Sequence, residues 1–436
     1  MFKRVLVANR GEIAARIIKS CEDLGVQTVA IYSDADADLA YLKQATVAVN
    51  IGPAPASQSY LNQNAILKAA RENDCEALHP GYGFLSENAL FATRCEQQKL
   101  TFIGPKPRHL RQMGDKATAI ATMREAGLPV LAGSSKILSS VEEALNVAEV
   151  LKYPVLLKAT AGGGGKGMRL VNTPADMAPA YLEASAEAGK AFANPELYLE
   201  KFIVGARHIE FQILADAYGK VIHLGERDCS IQQRHQKLLE EAPAPGFSAH
   251  LRHEIGELII QTISKIGYLG AGTLEFLMDA QNNLYFMEMN TRIQVEHPIT
   301  EAVTGLDLIA WQIKIAAGQP LTAVYTKPEG HAIECRINAT APGTVSKLQI
   351  PTGVRFDTYL TEGTVVTPYY DSMLAKLIVH APTRAEAVAR LKLALLELVI
   401  DGVPTTQGLH QAIVQDARFI EGKYSCRFFE EFAWPK

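Results

Sequence analysis

The most restrictive feature of this sequence is the alternation of short β-rich runs with helical patterns through its first hundred residues. VLVAN (5–9) reads as a buried strand, and GEIAARIIKSCEDLG follows it as a helix with Ile13, Ile17 and Leu24 on one side. QTVAIYS (27–33), TVAVN (46–50), EALHP (76–80) and TFIG (101–104) are further strands with helical stretches between them. Strand–helix alternation at this spacing predicts a parallel, doubly wound sheet. After Pro105 two helical segments lead into SVEEALNVAEVLKYP, and YPVLLKAT runs into a glycine loop. From Tyr198 onward the strands are expected to be antiparallel. His208, Glu210 and Gln212 alternate with Ile209, Phe211 and Ile213, as in a strand with one wet face. KVIHLGE (220–226), HAIECRIN, TVVTPYY and AKLIVH continue the strands, and AEAVARLKLALLELV is a late helix. The expected class is α/β, becoming α+β in the C-terminal part. At 436 residues the chain exceeds one ordinary core, so two or three units packed together are expected.

Composition narrows the function classes. Apolar residues make up 48% and charged ones 21%, with a formal charge of −4, so neither a nucleic acid nor an anionic membrane is an expected partner. The six cysteines are scattered without a CxxC pair, which points to reduced thiols. MFKRVLVANRGE has too short an apolar stretch for a signal peptide, and no run reaches membrane-spanning length, so a cytoplasmic protein is expected.

AGGGGKG (161–167) holds a G-x-G-x-x-G match at Gly162, Gly164 and Gly167. MRLVN after it reads as a strand, so the loop is a hairpin tip and not a strand-to-helix dinucleotide turn. A Walker A reading fails because Gly167, not Ser or Thr, follows Lys166. Glycines at a hairpin tip let backbone N–H groups close over phosphate oxygens, and Lys158 and Lys116 are placed to neutralise the charge. A mobile surface hairpin would look the same.

TLEFLMDAQNNLYFMEMN (273–290) reads as two strands about a polar turn. With the turn centred on Gln281–Asn282 and no bulge, Glu275 stands directly opposite Glu288, their Cβ atoms about 4.5–5.5 Å apart. Glu288 and Asn290 share a face. These three oxygen ligands suit Mg²⁺ held between carboxylates and nucleotide phosphates. The alternative, a solvated polar face, fits less well with Leu274, Phe276, Phe286 and Met287 around it.

Arg292, Gln294, Glu296 and His297 follow at once in TRIQVEHP. An arginine fork can hold a small planar oxyanion, and Glu296 beside it is a candidate base. A second dense cluster, Gln232, Gln233, Arg234, His235 and Lys237, suits anion or nucleotide contacts. Surface salt bridges or a solvated basic stretch are the bland readings of each.

Taken in order, VANRGEIAARI, HPGYGFLSEN, FIGP, MGDK, KATAGGGGKGMR, ERDCSIQQRHQK, EEAPAPG, EMNTRIQVEHPITE, HAIECRIN and PYYDSMLAK resemble the ATP-grasp superfamily and, within it, the biotin carboxylases. The resemblance spans nearly the whole chain and is nearest the stand-alone biotin carboxylase subunit of an acetyl-CoA carboxylase, an enzyme of fatty-acid synthesis. It implies an ATP-grasp fold: a Rossmann-like α/β domain (1–103), a helical connector (104–130), a mobile lid (131–203) and a C-terminal domain (204–436). It implies ATP contacts at Lys116, Lys158, Gly164, Gly165, His208, Gln232 and His235, with Glu200, Lys201 and Ile203 along the adenine. Glu275, Glu288 and Asn290 would ligate Mg²⁺ or Mn²⁺, two ions in all. Lys237, Arg292, Gln294 and the Val295 backbone would bind bicarbonate, Glu296 would be the base, and Arg336 would stabilise the biotin enolate. The implied partners are a biotin carboxyl carrier protein, carboxyltransferase subunits and a second copy of the chain.

The sequence departs from that family after HAIECRIN, where ATAPGTVSKLQIPTG replaces an acidic Glu-Asp-Pro continuation and the region is shortened. Arg336 is retained. No Met-Lys-Met biotinylation signal occurs, so biotin is expected on a separate carrier. Rival readings are another bicarbonate-activating ATP-grasp ligase, a biotin carboxylase serving a different acyl-CoA or pyruvate, a nicotinamide oxidoreductase, and a catalytically inactive ATP-binding module.

Overall fold

The computed structural model describes residues 1–434 apart from 135, 161–166, 193, 235 and 326. In its amino-terminal part β1 (Arg4–Val7), β2 (Gln27–Tyr32), β3 (Val47–Asn50), β4 (Ala77–His79) and β5 (Thr101–Phe102) stand in the order β3-β2-β1-β4-β5. Every pairing in this sheet is parallel. α1 (Gly11–Asp23), α2 (Gln63–Glu72) and α3 (Ala89–Gln97) pack on its faces. Val5 and Val7 pack in one core with Ile13 and Ile17, while Leu6 packs in another with Ile66 and Phe91. Burial on both faces explains why β1 is apolar at each of these positions. The strand order reverses between β1 and β4, which opens a crevice at their carboxyl ends.

α4 (Pro107–Gly114) and α5 (Lys116–Ala126) lead away from this sheet. The Asp115 side chain accepts from the Thr118 N–H and so starts α5 with Lys116 in its first turn. Next come α6 (Val141–Leu151), β6 (Val155–Ala159), β7 (Met168–Val171), α7 (Met177–Phe192) and β8 (Leu197–Lys201). Their three strands form an antiparallel sheet in the order β7-β6-β8, so the glycine loop does join two strands of a hairpin.

The remainder is built on a larger sheet. β9 (Arg207–Ala215), β10 (Val221–Gln233), β11 (Gln236–Ala242), β12 (Gly270–Met278), β13 (Leu284–Asn290), β14 (His331–Asn338), β17 (Arg355–Thr358) and β19 (Met373–Ala381) run β13-β12-β9-β10-β11-β14-β19-β17. The numbers between belong to β15 (Gly343–Thr344), β16 (Lys347–Gln349) and β18 (Val365–Val366); β15 pairs β18, and β16 pairs β20 (Val399–Asp401). α8 (Ala249–Ile266), α9 (His297–Thr304), α10 (Leu308–Ala316) and α11 (Arg384–Glu397) cover the sheet. One face is apolar: Phe211, Phe276 and Phe286 pack with Met123 of α5 and Ile255, Ile259 and Ile263 of α8.

The other face of the large sheet is polar, as the alternation in β9 predicts, but it is not wet. His208 is 6% exposed and Glu210 and Gln212 are fully buried. Water is replaced there by partner side chains, which the single-strand pattern could not show.

A bulge in β10 sets those partners. Register shifts between His223 and Glu226, so that Arg227 faces Glu210. Continued without the bulge, the pairing would bring Glu226 opposite Glu210, two like charges in the core. Gly225 lies in the shifted stretch at φ +81°, where any Cβ would meet the Tyr325 hydroxyl at 3.0 Å. Glu226 instead lies buried on the opposite face, in a two-pronged pair with Arg252 of α8, 2.6 Å on each arm.

Among the described residues no helix is long and apolar enough to cross a membrane. The six cysteines are free thiols.

Candidate functional site

A cavity of about 940 Å³ opens where three parts of the chain meet. Asn9, Arg10 and Gly11 follow β1, and Tyr82, Gly83 and Phe84 follow β4, so both come from the crevice at the strand-order reversal. Leu156, Lys158, Tyr198 and Glu200 reach in from β6 and β8, and the polar face of the large sheet forms the rest.

The β12–β13 hairpin delivers the expected pair by an unexpected route. Glu275 is opposite Glu288, yet a bulge lies between Glu275 and Phe276 and the Asp279–Asn283 turn is centred on Gln281, half a residue before the Gln281–Asn282 centre expected from the sequence. Met287 is the extra residue, because Phe276 pairs with Phe286. The two departures cancel at Glu275.

Lys237 organises the centre. Its Nζ donates to Glu210 Oε2 (2.6 Å), Glu275 Oε1 (3.0 Å) and Glu296 Oε1 (2.6 Å), using all three ammonium protons. Burial favours the neutral amine, but the carboxylates of Glu210, Glu275 and Glu296 outweigh it and raise the Lys237 pKa well above its ordinary value. Burial works against charge on Glu296 too, and Lys237, Arg336 and Arg227 overcome it, holding that carboxyl well below the usual range. Glu275 is likewise lowered, against its burial, by Lys237 and His208. Glu210 goes the other way: burial and the nearby Glu296 charge raise it despite Lys237 and Arg227. Arg227 is fully buried and donates to Glu210 Oε1 (2.6 Å), Gln212 Oε1 (3.0 Å) and Thr300 Oγ1 (2.9 Å).

Two groups of metal-ligating type occur among the described residues: His208, Glu210 and Glu275, and Glu210, Cys229 and Glu296. The Lys237 ammonium holds the carboxylates of both, so it supplies the cation there. Glu275, Glu288 and Asn290 are better suited to a divalent ion. Glu288 opens to the cavity with Lys116 Nζ at 3.3 Å, and Glu275 lines the cavity beside it. Two carboxylates and an amide oxygen are the donors a hard cation takes. Asn290 Nδ2 donates to Glu275 Oε1 (2.8 Å) and its Oδ1 accepts from Arg292 (2.7 Å), so a metal would exchange these bonds for its own.

The arginine fork is fully engaged. Arg292 donates to Glu87 Oε2 (2.9 Å), Gln294 Oε1 (2.9 Å) and Asn290 Oδ1 (2.7 Å), while Gln294 Nε2 donates to Glu275 Oε1 (2.7 Å). Arg336, on β14, pairs with Glu240 and with Glu296 Oε2 at 3.0 Å. Glu296 is thus gripped at both oxygens by cations and has no exposed surface.

Other expected residues sort by position. Lys158 pairs with Glu200 across β6 and β8. His208 lies 3.0 Å from Glu275 Oε2, and its Nδ1 is 2.7 Å from Gln232 Nε2. The Lys201 ammonium turns to the Lys152 carbonyl (2.6 Å), and neither Lys201 nor Ile203 is in the cavity lining. Gly164, Gly165 and His235 fall outside the described residues. Sequence reasoning passed over Glu87, Arg227 and Glu240 as site groups. Glu87 lies inside the HPGYGFLSEN run and was findable, but Arg227 needed the β10 bulge.

Comparison with known proteins covers the chain from end to end. Residues 1–110 match "Biotin carboxylase, N-terminal domain", 115–324 match "Carbamoyl-phosphate synthase L chain, ATP binding domain", and 334–431 match "Biotin carboxylase C-terminal domain". A biotin carboxylase of Nostoc sp. is 50% identical over 99% of both chains. The structure of a Campylobacter jejuni biotin carboxylase, described as a complex with β,γ-ATP, matches at TM-score 0.95 and 43% identity over 99% of both chains. The biotin carboxylase domain dimer of Hydrogenobacter thermophilus 2-oxoglutarate carboxylase, with MgADP, ADP and bicarbonate, matches at TM-score 0.93 and 48% identity, covering 99% of this chain and 98% of that one.

Proposed function

This chain belongs to the biotin carboxylase family, and on that premise we propose that it uses ATP and bicarbonate to carboxylate biotin borne by a separate carrier protein. The observation that carries this reading is the convergence of Lys237, Arg292 and Arg336 on the lining of one large cavity, with Glu296 buried behind Lys237 and Arg336 and paired to both. Its volume of about 940 Å³ sits near the top of the usual ligand range of about 300–1,000 Å³, enough for a nucleotide and a second substrate.

In this reading residues 1–103 form the N-terminal domain, 104–130 the connector, 131–203 the lid, and 204–436 the domain holding most of the chemistry. Lys116, Lys158, His208, Gln232, Glu200 and the lid backbone bind ATP. Glu275, Glu288 and Asn290 hold Mg²⁺ or Mn²⁺, which when bound neutralises the charge of the transferring phosphoryl group. Lys237, Arg292, Gln294 and the Val295 N–H hold bicarbonate. Glu296 takes the bicarbonate proton as its oxygen attacks the γ-phosphorus; the products are ADP and carboxyphosphate. Carboxyphosphate releases CO₂ and the phosphate trianion, which takes the ureido N–H proton of biotin; the nitrogen so deprotonated captures the CO₂ while Arg336 stabilises the enolate oxygen.

The network explains how a carboxylate held so acidic can serve as a base. Bicarbonate draws Lys237 and the biotin carbonyl draws Arg336, and each loss raises the proton affinity of Glu296. The base is switched on by the substrates it serves. The lid keeps water from the reactive intermediate.

The chain is proposed to act as a cytoplasmic homodimer, with a biotin carboxyl carrier protein and the carboxyltransferase subunits of an acetyl-CoA carboxylase. The Hydrogenobacter likeness favours one alternative, service to a different final acceptor. Phosphate release from MgATP and bicarbonate, with and without free biotin, tests the reading. Biotin stimulation that is lost in Arg292→Ala and Glu296→Ala is expected; equal release with and without biotin overturns it.

A further inference from the structure

Arg336 and Lys376 are directly opposed on β14 and β19. Two cations in that relation repel, and Lys376 is fully buried, so the pair needs both counter-charges and a use. The Arg336 guanidinium holds the Glu296 carboxylate. Lys376 Nζ donates to the backbone carbonyl of Val295 at 3.0 Å, the oxygen of the peptide that joins Val295 to Glu296. Neighbouring strands therefore hold the same short stretch twice, once by side chain and once by backbone.

The charge of Lys376 is balanced from the other end of the chain. Its Nζ lies 3.0 Å from Glu12 Oε2, with Asp357 Oδ2 at 3.9 Å. Glu12 sits in the first turn of α1, where the helix dipole favours an anion, and is itself 3% exposed. The other Glu12 oxygen accepts from the Tyr82 hydroxyl, and Tyr82 lines the cavity. Asn9 Nδ2 anchors the Tyr82 carbonyl at 2.7 Å. Tyr82, Glu12, Lys376 and Val295 thus form a continuous hydrogen-bonded path, buried at Glu12 and Lys376, from the N-terminal domain to the peptide that carries Glu296.

We propose that Lys376 is a positioning residue for the carboxylation: it fixes the Val295–Glu296 peptide and, through Glu12 and Tyr82, makes that placement depend on the N-terminal sheet. The proposal rests on the carboxylase reading and extends it to a residue that touches no substrate. A purely structural Lys376 would need only its ion pair with Glu12.

The two roles are separated by the neutral double variant Glu12→Gln/Lys376→Met. It removes Lys376 together with its nearest anion, Asp357 keeps its pair with Arg355, and the Val295 carbonyl is left without its donor. A positioning role predicts that biotin-dependent kcat in this variant is about 100-fold below wild type, the scale of a small misplacement at a reacting group. KM for bicarbonate rises while KM for MgATP stays within about twofold, because the Lys376 path stays clear of the nucleotide end. Lys376→Arg, which keeps charge and donors, restores kcat to within about tenfold. Thermal unfolding is followed in parallel. A folded double variant with wild-type kcat overturns the proposal, as does a loss that appears equally in the KM for MgATP. Absence of biotin stimulation in the wild-type enzyme itself would instead remove the carboxylase reading.

Discussion

The lid and the large sheet are both antiparallel β structures under helices, but they are stabilised in opposite ways. The lid has a core of its own in which Ala144, Ala148, Ala180, Ala184 and Ala188 pack on Val155, Leu157 and Leu199. Small side chains give a thin core with little area to bury, in keeping with the lid role proposed above. The large sheet carries bulky aromatics on one face and a buried charge network on the other. Such a network is costly to disturb, because removing one member strands the others. The proposed lid is therefore apolar and light, and the large sheet is polar on its cavity side and locked.

The sharpest way to break this contrast is Lys237→Met. It leaves Glu210, Glu275 and Glu296 facing one another without their shared cation. A destabilisation of about 3–5 kcal/mol is expected in denaturant unfolding, together with loss of biotin-dependent turnover. The equivalent change in the lid, Lys158→Met, frees only Glu200 beside the open cavity. It should raise the KM for MgATP and shift the unfolding midpoint far less. Equal destabilisation by the two variants would remove the distinction.

Acid offers the next test. Burial pushes His410 down to about 4, and its Nε2 donates to the Arg336 carbonyl at 2.8 Å while Nδ1 has no partner. A folded pKa below the unfolded value of about 6.5 gives stability that is complete above pH 6.5 and is lost as pH falls toward 4. His410→Gln keeps a donor to Arg336 and abolishes the titration. Wild type should therefore lose about 3 kcal/mol relative to the variant between pH 6.5 and 4. Glu240, pushed up to about 7 first by its burial, runs oppositely and loses stability as pH rises from about 4.5 through 7. Because Glu240 is present in both proteins, it cancels from their difference. Residues 131–203 contain no histidine, so hydrogen exchange in the lid, corrected for its intrinsic pH dependence, should not distinguish the two proteins.

How much of this was legible beforehand follows the same division. The parallel sheet could be read because β1 is apolar on both faces and each helix shows one apolar side. The hairpin character of the glycine loop was legible because MRLV follows it as a strand. The Glu275–Glu288 pairing was reached, but by a register argument that two compensating irregularities happened to preserve. The polar face of β9 was visible as alternation; its dryness was not, since that depends on Lys237 and Arg227, side chains brought from other strands. Nothing local in KVIHLGERD marks Arg227 as the partner of Glu210 until the shift near Gly225 is known.

The smallest effects separate two glycines within the lid. Gly167 stands at φ +69°, its carbonyl accepts from the Ala159 N–H at 3.0 Å, and a Cβ there would meet the Ala159 Cβ at 2.8 Å. Gly167→Ala therefore carries both left-handed strain and a clash, about 1–3 kcal/mol against the hairpin. Gly189 lies within α7 with ordinary helical φ, and its added Cβ would sit 3.8 Å from Pro195, a normal contact. Gly189→Ala should stabilise the lid by about 0.5–1 kcal/mol, because alanine loses less backbone entropy in a helix. Hydrogen exchange of α7, β6 and β7 should move in opposite directions in the two variants while β9 and β12 stay unchanged. If the lid opens as a unit of its own, the KM for MgATP follows that exchange, rising in Gly167→Ala alone; a change that spreads equally into β9 and β12 would show instead that lid and sheet unfold together.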